Sequence, residues 1–383
     1  MSAERAARVE AIFLSAVDLP PERRGAHLDG ACAGDASLRR EVESLLAHHA
    51  SDDGLLESRD APGLNLLSQF GAMALPTEEP TLPADRRIGT YTVQGLLGSG
   101  GMGVVYLAQQ ERPRRTVALK VLRAGAGSAR LLRRFEYEAE VLGRLQHPGI
   151  AQVYEAGVYR GGGGVYPFIA MELVRGRTLT AYAQERALDL RGRLDLFARV
   201  CDAVQHAHQH GVIHRDLKPA NILVADPPAG HTGEHAQPKV LDFGVARAMD
   251  DGRNDTTAHT HVGQIIGTLP YMSPEQIGGA PDAVDTRSDV YALGVVLYEL
   301  LAGRLPYDVK SRSLPDAARV IRDEEPTRLS TIARVFRGDV ETIVATALAK
   351  ERHRRYQSAA DLGADVRRFL AGEPLSARPD SAM

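Results

Sequence analysis

The spacing of apolar residues divides the chain into regions of different predicted structure. Near the N-terminus an amphipathic helix is indicated by apolar side chains at the i, i+3, i+4, i+7 spacing, namely Val9, Ile12, Phe13 and Ala16. Further along, Asp35 is placed to cap a helix that carries Leu38, Val42 and Leu45. We therefore predict a small all-helical segment over residues 1–50, with a regulatory or a purely structural role left open.

The helical spacing ends after residue 50, and the following residues predict a linker. Pro76, Pro80 and Pro83 lie among polar side chains, which is typical of an extended connection over residues 51–87. Short β-rich runs then predict strands at Tyr91–Leu97, Val104–Ala108, Thr116–Leu122, Val153–Val158 and Val165–Leu173. One helix is predicted among them, from Ala129 to Leu145, and the chain after Gly176 is mostly helical to Ala371.

Composition and charge exclude several classes of protein. The chain has 383 residues, of which 44% are hydrophobic and 25% charged, as in an ordinary globular protein. The formal net charge of −3 gives no support for a nucleic-acid partner. Two cysteines, Cys32 and Cys201, indicate a reducing compartment, and we expect no membrane segment and a cytoplasmic location, with membrane tethering only if the protein continues beyond residue 383. Only five residues are lysine, so each deserves separate inspection.

A glycine-rich loop lies between the first two predicted strands. Residues 98–105 fit the pattern G-x-G-x-x-G-x-V, with Gly98, Gly100 and Gly103 as its glycines. A dinucleotide-binding motif has the same glycine spacing but needs a helix directly after it, whereas Val104–Ala108 predicts a strand. The pattern therefore favours a glycine hairpin that brings backbone amides close to phosphates, although a plain hairpin would have a similar sequence.

Lys120 lies on the third predicted strand, and the following helix offers it a partner. The two-residue period of a strand places Ala118 and Lys120 on the same face. Glu138 falls within the apolar arc of the helix, while Glu136 falls on the polar side. A carboxylate on a buried face needs a cation, so we predict a Lys120–Glu138 ion pair, with an edge glutamate that reaches solvent as the alternative.

The segment after residue 212 carries the most specific motif. It reads Ile213-His214-Arg215-Asp216-Leu217-Lys218-Pro219-Ala220-Asn221, and Asp242-Phe243-Gly244 and Ser273-Pro274-Glu275 follow it. Together with the glycine loop and Val117-Ala118-Leu119-Lys120, this order of motifs resembles the bacterial eukaryotic-like serine/threonine protein kinases over about residues 88–372.

The resemblance implies a role for each motif residue that handles phosphate. Asp216 would be the catalytic aspartate that accepts the proton of the substrate hydroxyl. Asn221 and Asp242 would bind Mg²⁺, with Mn²⁺ as an alternative ion. Lys120, held by Glu138, would contact the α- and β-phosphates of ATP, and Lys218 would neutralise charge near the γ-phosphate.

The resemblance also implies an adenine pocket between the two lobes. Its upper and lower walls would be formed by Leu97, Val105 and Ala118 on one side and Leu223 on the other. Met171 would guard the back of the pocket, and Glu172 to Val174 would form the hinge that hydrogen-bonds the base.

Other residues of the resemblance are structural or regulatory. Glu275 would pair with Arg355, and Asp289 would be the buried aspartate that steadies the catalytic loop. Arg215 implies activation by phosphorylation, because in related kinases this arginine receives a phosphate carried by the activation loop. The acceptors that the loop offers are Thr256, Thr257 and Thr260.

The resemblance implies an α+β, two-lobed protein kinase fold: a small antiparallel sheet lobe with one key helix, then a larger helical lobe. We expect the N-terminal lobe at residues 88–173, the C-terminal lobe at 174–372 and a tail at 373–383. The implied partners are ATP, protein substrates and a transient second copy for autophosphorylation. Two alternatives stay open: an inactive ATP-binding scaffold, and a kinase that acts on small molecules.

Overall fold

The computed structural model describes residues 27–28, 30–32, 35, 38–39, 87–100, 103–122, 129–161, 164–226, 236–243, 267–278, 283–309 and 312–377. The chain divides into two compact units, residues 1–62 and 63–383, and each is treated by itself. The predicted helix at residues 9–16, residues 51–86 of the linker predicted over 51–87, and the three candidate phosphoacceptor threonines fall outside the described residues. The last residue of the predicted linker, Arg87, lies in a strand.

In the first unit, Asp35 caps a helical turn as its position predicts. Its Oδ1 accepts a hydrogen bond of 3.0 Å from the backbone N–H of Leu38, which satisfies one of the donors that a helix start leaves unpaired. Leu28, Cys32 and Leu38 are buried.

The described part of the second unit begins with a six-stranded antiparallel sheet. Its strands are β1 (Arg87–Ile88), β2 (Tyr91–Gly100), β3 (Gly103–Gln110), β4 (Arg115–Leu122), β5 (Val153–Gly161) and β6 (Gly164–Glu172). They are ordered β1-β2-β3-β4-β6-β5, and helix α1 (Ala129–Gly143) connects β4 to β5. All five predicted strands and the predicted helix are present, although most of the strands extend beyond their predicted ends.

The rest of this unit is mostly helical. The helices are α2 (Leu179–Glu185), α3 (Leu190–Gln209), α4 (Pro274–Ile277), α5 (Thr286–Ala302), α6 (Leu314–Asp323), α7 (Asp339–Ala347) and α8 (Ala359–Ala371). A small antiparallel sheet is formed by β7 (Arg177–Thr178), β8 (Ile222–Ala225) and β9 (Gln237–Val240). The predicted α+β architecture, a sheet lobe with one helix and a larger helical lobe, is confirmed.

Helix α5 forms the centre of the helical lobe. Its first turn is capped by Asp285, whose side chain accepts from the N–H of Arg287, and it ends at Gly303, which has the left-handed φ of +68°. Nearly all of its side chains are buried, so the helix is apolar on every side rather than amphipathic. The one buried carboxylate in its first turn, Asp289, is therefore a strong candidate for a role in the site.

Two apolar clusters hold the unit together. One runs through the helical lobe and reaches helix α1 and the face of the sheet that includes Ala118, Ile169 and Met171. The other contains the strand residues Tyr91, Leu119 and Phe168. None of the helices among the described residues has the length and apolar character needed to cross a membrane.

Candidate active site

A cavity of about 510 Å³ lies between the sheet and the helical lobe. This volume is in the range of pockets that bind small molecules and cofactors. The predicted site residues that line it are Gly98, Gly100, Gly103, Val105, Lys120, Met171, Asp216, Lys218, Asn221 and Asp242. The fold therefore brings most of the glycine loop and all of the predicted phosphate-handling side chains except Glu138 to one space.

The glycine residues form one wall of this cavity, at the end of the β2–β3 hairpin. Gly100 pairs with Gly103 in the antiparallel register, so a strand follows the loop and not a helix. A side chain at Gly103 is impossible, because its Cβ would lie 2.2 Å from the carbonyl oxygen of Val121. By contrast, a Cβ at Gly98 or Gly100 would meet no protein atom within 4 Å. Their lack of a side chain therefore leaves open space over the cavity, as close approach of a phosphate requires.

Lys120 and Asp242 form an ion pair within the cavity. Nζ of Lys120 lies 3.0 Å from Oδ2 of Asp242, and the two side chains are only 13% and 30% exposed. The pair compensates both charges in a partly desolvated place. Glu138, the predicted partner of Lys120, lies half-buried on helix α1, and its pairing with Lys120 stays a prediction.

Two side chains of the loop at residues 213–221, Lys218 and Asn221, contact Asp216. Nζ of Lys218 lies 3.0 Å from Oδ2 of Asp216. The side-chain amide of Asn221 donates to the carbonyl oxygen of Asp216 at 2.8 Å and to its Oδ2 at 3.2 Å. Lys218 also donates to Oγ1 of Thr268 at 2.8 Å, which joins this loop to the segment at residues 267–277. The orientation of the Asp216 carboxylate is therefore set by a cation and an amide.

His214 connects the segments of Asp216 and Asp242 through the backbone. Its Nδ1 accepts from the N–H of Asp216 at 3.2 Å, so its other nitrogen, Nε2, carries the proton and donates to the carbonyl oxygen of Leu241 at 2.8 Å. The ring also packs on Phe243, with 4.7 Å between centroids. The buried imidazole of His214 thus contacts Leu241 and Phe243, the two neighbours of Asp242, as well as the backbone of Asp216. It therefore fixes the position of Asp242 relative to Asp216.

Asp289 anchors the catalytic loop from helix α5, as the resemblance implies. Its Oδ2 accepts from the N–H of His214 at 2.8 Å, and its Oδ1 accepts from the N–H of Arg215 at 2.9 Å. Nε2 of His208 lies 2.7 Å from Oδ2 of the same carboxylate. Arg215 has a left-handed φ of +66°, a strained conformation for this residue type. The buried carboxylate holds this strained backbone in place.

Glu275 and Arg355 form the predicted ion pair. Nη1 of Arg355 lies 2.7 Å from Oε1 of Glu275, and Nη2 lies 2.8 Å from Oε2, which is the two-point geometry of a strong arginine–carboxylate contact. Ser288 donates to Oε1 of Glu275 at 2.7 Å. Burial raises the pKa of Glu275, but Arg355 and Ser288 more than offset this effect and the net pKa is lowered.

The oxygen atoms of Asn221 and Asp242 fit the requirements of a magnesium ion. The amide nitrogen of Asn221 is used by Asp216, which leaves its amide oxygen as the atom able to bind a cation. Over the part of the chain that the structure describes, no group of three or more His, Cys, Asp or Glu side chains could hold a metal ion. This donor set agrees with Mg²⁺ chemistry, because that ion uses one or two carboxylates together with substrate phosphates.

Some predicted site residues do not line this cavity, and their roles stay predictions. They are Leu97, Ala118, Glu138, Glu172, Val174 and Leu223. Leu97 is 49% exposed on β2, whereas Ala118 is buried on β4 beside the cavity-lining Lys120. Glu172 ends β6 directly after Met171, and Leu223 lies in β8.

Three polar contacts at the site were not predicted from the sequence. Lys239 pairs with Glu172, His208 with Asp289, and the side-chain amide of Gln276 with the carbonyl oxygen of Arg215. The sequence contains a feature that points to two of these contacts, those of Lys239 and Gln276. Lys239 is one of the five lysines, and Ser273-Pro274-Glu275-Gln276 has the capping-box pattern of a helix start.

Residues 91–362 match the family model described as the protein kinase domain. The chain is 40% identical over 289 residues to the serine/threonine-protein kinase PknB of Mycobacterium tuberculosis, an alignment that covers 75% of this chain and 44% of that protein. It is also 40% identical over 282 residues to the probable serine/threonine-protein kinase CE0033 of Corynebacterium efficiens, covering 72% of this chain and 40% of that protein. The chain thus spans less than half the length of these curated relatives.

Solved structures give a similar result. The crystal structure of the Mycobacterium tuberculosis PknI kinase domain superimposes with a TM-score of 0.55 and 30% sequence identity. The superposition covers 75% of this chain and 99% of that chain.

Proposed function

This chain belongs to the protein kinase family, as a bacterial serine/threonine kinase, and we propose that it transfers the γ-phosphate of ATP to serine and threonine hydroxyls of proteins. The observation that carries the proposal is the hydrogen-bonded group of Asp216, Lys218 and Asn221 on the wall of the cavity that Lys120 and Asp242 also line. Phosphoryl transfer depends mainly on positioning and charge neutralisation, and this arrangement supplies both.

Each side chain of this group has one task in the proposed reaction. The substrate hydroxyl oxygen forms a bond to the γ-phosphorus, the bond from that phosphorus to the β–γ bridging oxygen breaks, and ADP leaves. Asp216 accepts the hydroxyl proton, and Asn221 and Lys218 hold its carboxylate in orientation. Lys218 and Lys120 supply positive charge where negative charge is transferred. The intact segment from Gly267 to Glu275 supports a protein substrate rather than a small molecule.

Members of this family use ATP and a divalent metal ion. We propose Mg²⁺ at Asn221 and Asp242, with Mn²⁺ as a substitute, because both residues offer hard oxygen ligands. When bound, such an ion neutralises the phosphate charge. The Lys120–Asp242 pair would then open, since the ammonium group and the carboxylate would each face ligand charge.

We also propose trans-autophosphorylation at Thr256, Thr257 or Thr260, through transient contact of two copies and as part of bacterial signal transduction. Arg215, which precedes Asp216, supports this idea because an arginine beside the catalytic aspartate can pair with a phosphate. Phosphopeptide mapping of an active preparation tests it. An unmodified loop in fully active protein would reject the proposal.

The proposed lobes are residues 88–173 and 174–372, followed by a tail at 373–383 and preceded by a helical segment and a linker. The family match at residues 91–362 lies within the two lobes. We propose a cytoplasmic location because the reaction consumes ATP and both cysteines, Cys32 and Cys201, are unpaired thiols.

Radiolabelled ATP tests the proposed function directly. Wild-type protein, Lys120→Met and Asp216→Asn are incubated with [γ-³²P]ATP and a mixture of protein substrates, and labelled proteins are hydrolysed for phosphoamino-acid analysis. We expect phosphoserine and phosphothreonine from the wild type and a loss of about a thousandfold or more in both variants. A wild type that labels nothing, itself included, and behaves like Lys120→Met would favour the inactive ATP-binding scaffold. Label confined to small molecules would favour a kinase that acts on small molecules.

A further inference from the structure

Gln276 reaches from the start of helix α4 to the catalytic loop. Its Oε1 accepts from the N–H of Ser273 at 3.0 Å, while its Nε2 donates to the carbonyl oxygen of Arg215 at 2.9 Å. A backbone N–H can only donate and a carbonyl can only accept, so these two partners define which end of the amide is which. Only a side chain with both an acceptor and a donor can make both bonds.

The carbonyl group that Gln276 binds belongs to the peptide plane that leads into Asp216. The C=O of Arg215 and the N–H of Asp216 lie in one rigid plane. Gln276 holds the oxygen end of this plane, and Nδ1 of His214 holds the N–H end at 3.2 Å. The two contacts together fix the rotation of the plane, and that rotation sets where the next side chain, the carboxylate of Asp216, points.

The backbone of Arg215 needs such support. Its φ of +66° is strained, and its N–H is held by Oδ1 of Asp289 at 2.9 Å. With Gln276 on the carbonyl oxygen, both polar groups of this strained residue are bound by side chains from two other segments. A residue in this conformation persists only where its surroundings impose it.

We propose that Gln276 is a positioning residue that couples the segment at residues 267–277 to the orientation of Asp216. The inference rests on the proposed kinase activity and deepens it. The segment would be tied to the catalytic loop at two points, through Thr268 to Lys218 and through Gln276 to Arg215. An ordered peptide-binding segment would therefore fix the orientation of the Asp216 carboxylate. Gln276 would do this without contacting the reacting atoms.

Gln276→Glu is the sharpest test, because it preserves size and the acceptor for Ser273. It replaces the donor with a second oxygen that faces the carbonyl oxygen of Arg215, and the two oxygens repel. We expect kcat to fall about ten- to a hundredfold, with the KM for ATP within about twofold of the wild-type value. Gln276→Ala loses the contact without adding repulsion, so its kcat should lie between that of the wild type and that of Gln276→Glu.

Ser358→Ala is the matched control for stability. Ser358 caps helix α8 by accepting from the N–H of Asp361 at 3.1 Å, far along the chain from the catalytic loop. Its loss should lower the melting temperature while kcat stays unchanged. A kcat of Gln276→Glu equal to that of the wild type, or a loss that Ser358→Ala reproduces at the same melting temperature, would overturn the inference. An inactive wild type would instead reject the proposed function and, with it, this inference.

Discussion

Nζ of Lys239 lies 2.8 Å from Oε2 of Glu172, and this ion pair joins the small sheet to the last residue of strand β6. The same oxygen accepts from the N–H of Gln152 at 3.3 Å, and the N–H of Glu172 donates to the carbonyl oxygen of Gln152 at 2.8 Å. Met171, the preceding residue, lines the cavity between the lobes. The pair is therefore placed to control the relative position of the two lobes beside the proposed adenine site.

Loss of this ion pair should weaken ATP binding more than it slows the chemical step. For Lys239→Met we expect a rise of about threefold in the KM for ATP with kcat nearly unchanged, because the catalytic side chains lie on other segments. A double-mutant cycle with Glu172→Gln measures the coupling, expected to be about 1 kcal/mol for a pair that is 20% and 28% exposed. Strict additivity of the two single changes would show that the pair is without energetic effect.

The Glu275–Arg355 pair should matter for stability rather than for chemistry. The side chains are 8% and 0% exposed, so Arg355→Met would leave a buried carboxylate without its cation. We expect a loss of about 3–5 kcal/mol in the free energy of unfolding, measured by urea denaturation. The exposed pair of Arg144 and Glu140 is the control, and Glu140→Gln should change stability by less than about 0.5 kcal/mol.

The pH dependence of this pair follows from the lowered pKa of Glu275. A carboxylate with a lower pKa in the folded state adds stability above its unfolded pKa, and that stability is lost as the pH falls through the folded value. Acid should therefore destabilise the wild type more steeply than it destabilises the double variant Glu275→Gln with Arg355→Met. Parallel curves of unfolding free energy against pH below about 4.5 would contradict this expectation.

The site residues that could be predicted from the sequence are those whose spacing within a short segment is informative. The motif residues around Lys120, Asp216 and Asp242 lie on short segments whose period or order is visible in the sequence, and the structure places them on one cavity. The strand that follows the glycine loop was predictable for the same reason, because Val104 and Val105 are β-branched and Tyr106 is aromatic.

The unpredicted contacts join segments that are far apart in sequence. His208 and Asp289 are 81 residues apart, and Gln276 and Arg215 are 61 residues apart. Periodicity tells which face of an element is buried, but not which other element covers it. The capping-box pattern predicts the Ser273–Gln276 contact, and only the packing of helix α4 on the catalytic loop shows where the amide nitrogen of Gln276 goes.

Asp289→Asn should damage the catalytic loop more than its small change in size indicates. Three donors converge on the carboxylate, from the backbone N–H groups of His214 and Arg215 and from Nε2 of His208. Asparagine has one acceptor oxygen, and its amide group would face at least one of these donors. We expect a loss of about 2–3 kcal/mol in stability and a fall in kcat. His208→Gln keeps a donor and should be much milder in both measurements, and an equal effect of the two changes would contradict the reasoning.

Two neighbouring histidines, His147 and His206, should make the protein sensitive to mild acid. The rings of His147 and His206 lie 5.1 Å apart, and those of His206 and His210 lie 4.5 Å apart. Nδ1 of His147 accepts from the N–H of Gly149 at 3.0 Å, and Nε2 of His206 is buried without a hydrogen-bond partner among the described residues. Burial first, and then the neighbouring imidazoles, lower the pKa of His147 and of His206.

The direction in which acid changes the folding stability follows from these lowered pKa values. As the pH falls through about 6.5, the unfolded chain takes up protons that the folded histidines resist, so stability is lost. Two charged neighbours act on His147 in opposite directions, since Asp202 raises its pKa and Lys239 lowers it. The melting temperature of the wild type should therefore fall between pH 7 and pH 5.5.

His206→Leu removes the central ring and should flatten this fall, because the variant loses one group whose pKa is lowered on folding and His147 loses the neighbour that lowers its pKa after burial. The measurement is the melting temperature of both proteins at half-unit steps of pH. His353→Leu is the control, because this histidine lies on a short 3₁₀ turn at residues 352–354, outside the cluster, and should leave the wild-type slope intact. If His206→Leu and the wild type lost the same number of degrees between pH 7 and pH 5.5, the acid sensitivity would have to originate in other groups, such as the carboxylates that pair with arginine elsewhere in the fold.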